Sequence, residues 1–485
     1  MFGSRKKKKL ERAYDAMEAA GSYADWQEAA AEVDDLEGND AWREDPTSPL
    51  YDHVLLQEHL RKLRVFRARR DFVALRELIE EGLHRNLGDL SNPLLYAYSH
   101  LGTKHLIEAY LDELEATFFW LRDEPLEGFD DVRKLKMVRE ASRVFGRSAL
   151  VLSGGGALGL FHLGVVKALW ERDLLPEIIS GASMGAIVAG GVCTRDDDEL
   201  AQMWENIDAI HRVATRLQSP RRWRETKSLL APEQLEEHVS ANLSNMTFQE
   251  ARDHSGRILN VPVSPVRRRQ KPRLLNHITS PDVLIQGAAV ASCSLPALFP
   301  PGELFRRGED GELRPYIDGE VWVDGSIYGD VPTMRLSRLL NVNHYIVSQA
   351  NPHVLPFLKL EQRGGMLSAT ADAVAGAARA QVRHALGMAR RRMGDSRWHT
   401  PLEFAHAMAN QNYTGHIDIH PELKLRDYTR VMKNPSLPEL EAYIQGGERA
   451  TWPYIAMIRD QTRVSRALAR CIRDIEARLA KRRAI

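Results

Sequence analysis

Gly181-Ala182-Ser183-Met184-Gly185 is the stretch of sequence that decides the fold of this chain. A short apolar run precedes it, and small residues typical of a buried helix follow it. This order predicts a strand, a sharp turn and a helix, with Ser183 at the apex of the turn. Gly181 and Gly185 leave room around the serine hydroxyl, and the helix N-terminus stabilises negative charge that develops there. Ser183 is therefore the candidate nucleophile.

A glycine-rich loop, residues 154–159, lies upstream between a strand pattern and an apolar helix pattern. Such a loop presents backbone N–H groups to an anion and lets a substrate oxygen approach closely. The loop also spells G-x-G-x-x-G, but a dinucleotide site needs an acidic residue after the next strand, where this chain has Ser183 instead. One helix and one strand separate the loop from Ser183. A right-handed βαβ unit would bring both to the same edge of a parallel sheet.

A candidate base for the serine follows the strand-like run 321–323. Asp324 carries the carboxylate, and Gly325 gives the backbone the freedom to turn that carboxylate toward the serine. An Asp-Gly pair is also a common turn signal, so a plain turn is the alternative interpretation at this position.

The order of the three motifs, a glycine loop, G-x-S-x-G and D-G-x, resembles that of the patatin-like lipid acyl hydrolases, which use a Ser-Asp dyad. The resemblance implies that Ser183 is the nucleophile and that Asp324 accepts its proton. It places the oxyanion hole at the N–H groups of Gly154, Gly155 and Gly156. The other motif positions are Gly159, Gly181, Gly185, Gly325 and Ser326. It implies an α/β fold, a three-layer α/β/α core with a mostly parallel sheet, and neither a cofactor nor a metal.

Two motif positions depart from the pattern of the family. Many patatins carry Lys or Arg where this chain has Leu158, and Gly or Ala where it has Ser326. The first departure argues against a preference for a phospholipid headgroup.

A narrower resemblance extends from about residue 20 to about residue 460. It is to the triacylglycerol lipases of fungal and plant lipid droplets, which carry a helical domain before the patatin core. It rests on Trp26, Trp42, Tyr51 and the segments 85–88, 102–104, 347–353, 415–419 and 447–453. The resemblance implies cleavage of fatty-acyl esters in triacylglycerol or phospholipid, and peripheral association with a membrane or lipid-droplet surface.

Three segments are expected along the chain. Residues 1–140 repeat leucines at helical spacing and predict a helical N-terminal domain. Residues 145–355 alternate strand and helix patterns and form the predicted catalytic domain. Residues 356–485 are expected to form a mainly helical extension that packs on the core.

The composition predicts a cytoplasmic globular protein. The 485 residues are 44% hydrophobic, and Lys+Arg and Asp+Glu balance at 66 each, which argues against nucleic acid as a partner. The three cysteines, Cys193, Cys293 and Cys471, lack metal-ligand spacing. The basic N-terminus lacks the apolar core of a signal peptide, and no apolar run is long enough for a transmembrane helix.

Two other functions stay open at this stage. An α/β-hydrolase with a Ser-His-Asp triad shares the serine turn and needs a histidine after the acid. The available histidines are His384, His399, His406, His416 and His420. A catalytically silent lipid-binding scaffold that keeps the fold is the other alternative. His162, in the helix after the glycine loop, is expected to be structural, and the oligomeric state is not specified by the sequence.

Several apolar and basic residues have two interpretations each. Leu295, Leu298 and Phe299 are candidates for a wall around an acyl chain, and ordinary core packing is the alternative. Basic clusters at 5–9, 221–224, 267–269 and 390–392 are candidates for a lipid interface, and solvated surface is the alternative.

Overall fold

The computed structural model describes residues 2–226, 228–267, 270–325, 331–352, 354 and 414–483. The helices are α1 (Phe2–Ala19), α2 (Tyr23–Glu37), α3 (Asn39–Glu44), α4 (His53–Ala68), α5 (Phe72–Gly82), α6 (His105–Asp123), α7 (Asp131–Phe145), α8 (Phe161–Trp170), α9 (Met184–Cys193), α10 (Asp197–Glu205), α11 (Pro220–Thr226), α12 (Pro232–Asn242), α13 (Phe248–Ser255), α14 (Ile285–Cys293), α15 (Thr333–Leu340), α16 (Leu437–Thr451) and α17 (Ile455–Arg483). The strands are β1 (Arg147–Leu152), β2 (Ile178–Gly181), β3 (Ile258–Pro265), β4 (Arg273–Leu275), β5 (Phe305–Arg307), β6 (Leu313–Pro315), β7 (Trp322–Asp324), β8 (Val342–Ser348) and β9 (Ile417–Ile419).

Seven of these strands form one sheet. Its order is β4-β3-β2-β1-β8-β9, and β7 pairs with β3 off this path. The pairs β1–β2, β2–β3 and β8–β9 are parallel, whereas β4 and β7 run antiparallel to β3. All residues of β2 and β3 are buried, as expected for strands covered by helices on both faces. The predicted α/β core with a mostly parallel sheet, preceded by a helical region, is confirmed.

The parallel register places two loops at one edge of the sheet. Leu152, the last residue of β1, lies beside Gly181, the last residue of β2. The glycine loop leaves β1 and the serine turn leaves β2, so both begin at the same carboxyl edge. This is the arrangement that the βαβ spacing predicts.

The chain divides into two compact units. The first comprises Met1–Ser148, Asn341–His344 and Thr451–Ile485, and the second Ala149–Leu340 and Tyr345–Ala450. The C-terminal helix α17 thus belongs to the same unit as the N-terminal helices. The three-segment division of the sequence stays a prediction. Among the described residues, none of the helices has the length and apolar character required to cross a membrane.

The first unit has its own apolar core and buried polar contacts. Side chains of α4, α5, α6, α7 and α17 form the core. Lys104 is 0% exposed, lies over the ring of Trp42, and donates to the carbonyls of Trp42 and Asp45 at 2.6 and 2.7 Å. Arg85 donates to the carbonyl of Gln461 at 2.8 Å and lies over the ring of Phe145. Arg85 and Lys104 belong to the segments 85–88 and 102–104, on which the resemblance to the lipid-droplet lipases rests. Their contacts stabilise the first unit itself.

Candidate active site

Ser183 stands on a strained turn between β2 and α9. Its φ of 53° and ψ of −126° lie in a region that L-residues rarely adopt. A Cβ on Gly181 would overlap the carbonyl of Gly185, and a Cβ on Gly185 would overlap the carbonyl of Leu152. Both motif glycines are therefore required by close backbone packing. Ser183 itself is half-buried.

Ser292 in α14 holds the backbone of this turn. The N–H of Ser183 donates to Ser292 Oγ at 3.1 Å, and that hydroxyl donates to the carbonyl of Pro262 at 3.0 Å. Ser292 is completely buried. The amide of the candidate nucleophile is thus engaged and points away from any bound substrate. Sequence reasoning missed Ser292, because one serine among small helical residues carries no local signal.

The glycine loop lies directly against the serine turn. A Cβ on Gly154 would stand 3.3 Å from Ser183 Cβ. Gly156 has a φ of 56°, and a Cβ there would overlap the carbonyl of Val431, whereas a Cβ on Gly155 would stand 2.8 Å from the carbonyl of Ala350. Within the described part of the chain, the amides of Gly155 and Gly156 donate to no other residue.

His162 anchors the strand end from which the loop leaves. Its Nε2 donates to the carbonyl of Ser153 at 3.0 Å, and its Nδ1 accepts from Ser348 Oγ at 2.7 Å. Ser153 Oγ in turn accepts from the amide of Ala350 at 2.8 Å. Burial lowers the pKa of His162 to about 4, so the ring is neutral at pH 7. These contacts give His162 a structural role, as the sequence predicts.

Asp324 reaches the same edge of the sheet through antiparallel pairing. It ends β7 opposite Val263, beyond the point where β3 leaves its partner β2. The side chain is 1% exposed, and the amide donates to the carbonyl of Ser294 at 3.1 Å. A Cβ on Gly325 would overlap the carbonyl of Pro262. Asp324 thus ends a paired strand and Gly325 begins a turn against the backbone of β3, so the role of Asp324 stays a prediction.

A buried thiol lies beside both residues of the predicted dyad. Burial raises the pKa of Cys293 well above its ordinary value, and the negative charge of Asp324 raises it further. A hydrogen bond with the Ser183 side chain opposes this rise. The thiol therefore stays protonated at neutral pH and is a poor nucleophile. Both effects are consistent with the position of Cys293 between Ser183 and Asp324 in the lining of one cavity.

These elements surround a cavity of about 260 Å³, called here the elbow cavity. The glycine loop, Ser183 and Asp324 all line it. The candidate acyl-wall residues Leu295, Leu298 and Phe299 line it as well, together with Leu235. The lining is mainly apolar, which suits a hydrocarbon chain beside a reactive hydroxyl.

Two protein-family profiles and several known proteins match this chain. The profile described as Patatin-like phospholipase matches residues 150–336, and one described as a domain of unknown function (DUF3336) matches residues 2–143. Triacylglycerol lipase ptl3 of Schizosaccharomyces pombe is 33% identical over 465 residues, covering 93% of this chain and 95% of that protein. The chain belongs to the patatin-like phospholipase family.

Other relatives are longer than this patatin-like chain. Triacylglycerol lipase 4 of Saccharomyces cerevisiae is 34% identical over 489 residues, which cover 95% of this chain and 53% of the yeast protein. Triacylglycerol lipase SDP1L of Arabidopsis thaliana is 33% identical, covering 96% of this chain and 60% of its own length. The chain thus spans only about half to two thirds of these relatives. These named relatives are lipases, so the family is one of carboxylic ester hydrolases.

A solved structure is also similar in part. The crystal structure of VipD from Legionella pneumophila matches with a TM-score of 0.32 at 17% identity, covering 64% of this chain and 66% of that one.

Of the remaining motif positions of the patatin-like core, Gly159 packs beside the serine turn. A Cβ on Gly159 would stand 2.7 Å from Met184 Cγ, so this glycine makes room for the side chain next to Ser183. Ser326 lies outside the described residues. A segment that sequence reasoning missed, residues 431–435, lines the cavity mouth and is held there by Asn434, which accepts from the amides of Ala214 and Thr215 at 3.0 Å.

The histidines of the alternative triad do not meet the site in the described residues. His384, His399 and His406 fall outside those residues. His416 accepts from the amide of Tyr345 at 3.1 Å and stacks on its ring, and neither it nor His420 lines the elbow cavity. His238 does line the cavity, and nothing in the sequence pattern singled it out.

One group of side chains in the described residues has the spacing of a metal site. It consists of Asp196, Glu199 and His254. Glu199 and Asp196 form the capping box of α10, and Glu199 also contacts His254 at 2.6 Å. The capping box of α10 and the contact between Glu199 and His254 explain why these three side chains lie close together. The absence of a metal or cofactor stays a prediction.

Proposed function

We propose that this protein is a serine acyl hydrolase that cleaves fatty-acyl esters of lipids, with Ser183 as the nucleophile and Asp324 as the proton acceptor. The observation that carries the proposal is the shared apolar cavity, which Ser183, Asp324 and the glycine loop line together. Cys293, which also lines this cavity, hydrogen-bonds with the Ser183 side chain and feels the negative charge of Asp324.

The reaction proceeds in two acyl transfers. Asp324 accepts the hydroxyl proton as Ser183 Oγ bonds to the ester carbonyl carbon, and the proton then passes to the departing alcohol oxygen. Water then attacks the acyl-enzyme and gives a proton to Asp324; the C–O bond to Ser183 breaks, the fatty acid leaves, and Asp324 returns the proton to Ser183 Oγ. A carboxylate is a weak base for an alcohol, so the transfer is concerted with attack in a largely dry cavity.

The oxyanion hole is best assigned to the glycine loop. The amide of Ser183 is engaged by Ser292, so it does not donate to the oxyanion. The amides of Gly155 and Gly156 have no acceptor in the described chain and lie at the loop next to Ser183. A single such donor contributes about 3–4 kcal/mol to transition-state stabilisation in measured cases. The contribution of Gly154 stays a prediction.

A triacylglycerol is the favoured substrate within this class. The lining of the elbow cavity is mainly apolar, and Leu158 in the glycine loop is buried. Several relatives that match over most of this chain are named triacylglycerol lipases. Many patatins carry Lys or Arg in this loop, whereas this chain has Leu158 at that position.

Peripheral attachment to a membrane or lipid-droplet surface is part of the proposal. Helix α11 exposes Arg221, Arg222 and Arg224 beside Trp223, which is 48% exposed. Cations near anionic lipid contribute about 1 kcal/mol each, and tryptophan favours the headgroup boundary. Vesicle flotation of the wild type and of a triple charge reversal at the three arginines tests this surface. Unchanged flotation removes α11 from the interface.

A serine-directed fluorophosphonate probe tests the nucleophile. The wild type and the exposed-serine control Ser240→Ala should be labelled equally, and Ser183→Ala should not be labelled. Equal weak labelling of all three forms would favour the catalytically silent scaffold. Strong labelling of Ser183→Ala would place the nucleophile elsewhere.

A further inference from the structure

Helix α16 packs directly on α8, the helix that follows the glycine loop. A Cβ on Gly164 of α8 would overlap the carbonyl of Ile444 in α16. A Cβ on Gly447 of α16 would overlap the carbonyl of Phe161 in α8. The two helix backbones are therefore in direct contact, which glycine permits because it has no Cβ. This contact gives a structural reason for Gly447 in the segment 447–453, on which the narrower resemblance rests.

The segment that leads into α16, residues 431–435, is called here the strap. Its first residue contacts the glycine loop. The carbonyl of Val431 accepts from the amide of Ala157 at 2.8 Å. A Cβ on Gly156 would overlap the same carbonyl, so the strap and the loop are in backbone contact. Ala157 directly follows Gly155 and Gly156, whose amides are the proposed oxyanion donors. The strap therefore holds the loop at the residue next to those donors.

Asn434 fastens the other end of the strap to residues 214–215. Its Oδ1 accepts from the amides of Ala214 and Thr215, both at 3.0 Å. Its Nδ2 donates to the carbonyl of Thr215 at 2.7 Å. The Thr215 hydroxyl has two acceptors within reach, Asn434 Oδ1 at 2.9 Å and the carbonyl of Met432 at 3.0 Å. Both ends of the strap are thus fixed by hydrogen bonds to segments distant in sequence.

The strap forms part of the wall of the elbow cavity. All five of its residues line that cavity, and so do Ala214 and Thr215 on one side of it and the glycine loop on the other. Backbone N–H groups stabilise an oxyanion strongly when they are held in place before the reaction begins. A segment that is bonded to the loop within the same cavity therefore bears on the reaction itself.

We propose that Asn434 is a positioning residue for the oxyanion hole of the proposed reaction. By fastening the strap, it keeps the Val431 carbonyl on the amide of Ala157. The two amides that precede Ala157 are thereby held in place before an ester binds. The side-chain amide of Asn434 is itself bonded to residues 214–215, so Asn434 acts through the strap and not on the oxyanion. This inference rests on the proposed function and adds a residue far from the glycine loop in sequence.

Hydrolysis of 4-nitrophenyl octanoate below its solubility limit gives kcat and KM without a lipid surface. Asn434→Ala removes the bonds of the strap to residues 214–215 and should lower kcat about tenfold or more. Complete loss of one oxyanion donor lowers kcat about a hundredfold to a thousandfold, so partial misplacement has a smaller effect. KM should change by less than about threefold, because the apolar wall of the cavity is kept.

Three threonine variants refine this test. Thr215→Val removes only the hydroxyl contacts with the strap and should lower kcat about threefold, the effect of one neutral hydrogen bond. Thr215→Ser, which keeps the hydroxyl, should recover part of that loss. Thr429→Val is the matched control, because the exposed Thr429 lies close to the strap in sequence and its hydroxyl donates to the carbonyl of Arg426 at 2.7 Å. It should keep the wild-type kcat.

A transition-state analogue separates oxyanion positioning from a loosened cavity. In 1,1,1-trifluorodecan-2-one, Ser183 Oγ bonds to the ketone carbon, the hydroxyl proton passes to Asp324, and the ketone oxygen becomes an oxyanion. The inhibition constant of this ketone should rise in Asn434→Ala by the factor by which kcat/KM falls. The inhibition constant of 1,1,1-trifluorodecan-2-ol, which forms no oxyanion, should stay within about twofold. A merely structural role would weaken both inhibitors equally.

The outcomes separate this inference from the function on which it rests. Hydrolysis that is absent in the wild type, or that survives Ser183→Ala, contradicts the proposed function. Hydrolysis that depends on Ser183 but keeps its wild-type kcat in Asn434→Ala overturns the positioning role alone, and so does an equal weakening of ketone and alcohol. If circular dichroism shows that Asn434→Ala is unfolded, Thr215→Val decides, and a wild-type kcat in that variant overturns the positioning role.

Discussion

Ser292→Ala should lower kcat without raising KM, because the Ser292 hydroxyl holds the backbone of the candidate nucleophile. The variant removes the acceptor, at 3.1 Å, of the buried Ser183 amide. An unsatisfied buried donor costs about 1–3 kcal/mol. The turn itself, with its φ of 53°, stores strain of about 1–3 kcal/mol that this bond helps to hold. Relaxation of the turn moves Ser183 Oγ away from the glycine loop.

The expected magnitude follows from these figures. If the misplaced Ser183 loses about 1.4–2.7 kcal/mol of transition-state stabilisation, kcat falls about tenfold to a hundredfold. The free energy of unfolding should fall by about 1–3 kcal/mol. Substrate contacts in the elbow cavity are unchanged, so KM should stay within about twofold of the wild type.

Steady-state release of fatty acid from a triacylglycerol emulsion gives kcat and KM, and urea unfolding gives the stability. Ser294→Ala is the matched control, because the Ser294 hydroxyl donates only to the carbonyl of Val290 within α14 at 2.9 Å. It should keep kcat within about twofold, as expected for loss of one intrahelical bond. A Ser292→Ala enzyme with wild-type kcat would refute the positioning role.

Three further predictions, with four variants, concern the packing of the fold. Gly325→Ala should prevent stable folding, because its Cβ overlaps the carbonyl of Pro262, whereas Gly287→Ala, with no atom nearer than 3.8 Å, should unfold at the wild-type urea midpoint. The pKa of His162 is about 4 in the folded protein and about 6.5 in the unfolded chain. The neutral ring therefore adds its full contribution to folding stability above pH 6.5, and this contribution is lost as the pH falls toward 4. His162 alone should therefore lower the free energy of unfolding by about 1.4 kcal/mol per pH unit in this window, and His162→Gln should reduce the slope of stability against pH by that amount in urea titrations. Lys104→Met should destabilise the first unit by about 2–4 kcal/mol, because the two hydrogen bonds of the buried ammonium to the carbonyls of Trp42 and Asp45 are lost; unchanged thermal unfolding would contradict this.

Local patterns and chain connectivity predict part of the site. A strand, a glycine loop, a helix and a second strand before Ser183 suffice to bring both loops to one sheet edge, because parallel crossovers are right-handed. The glycines at 181 and 185 follow from the same local geometry. The helices of the first unit follow from leucine spacing in residues 10–140.

The rest depends on contacts between residues distant in sequence. Asp324 lines the elbow cavity with Ser183 because β7 pairs antiparallel with the end of β3, and no local pattern encodes that register. Ser292 holds the serine turn through one contact between residues distant in sequence, and a serine in a helix gives no local signal of that contact. The assignment of α17 to the first unit is likewise set by tertiary packing.

Fatty-acid release from triolein by wild type, Ser183→Ala and Asp324→Asn is the most direct test of the central claim. The Ser-Asp dyad predicts that both variants lose release by a factor of about a thousand or more, while both stay folded by circular dichroism. Asp324→Asn is isosteric, so its loss would reflect proton transfer. Release that survives in Asp324→Asn, with Ser183→Ala inactive, would contradict the dyad and point to a histidine base.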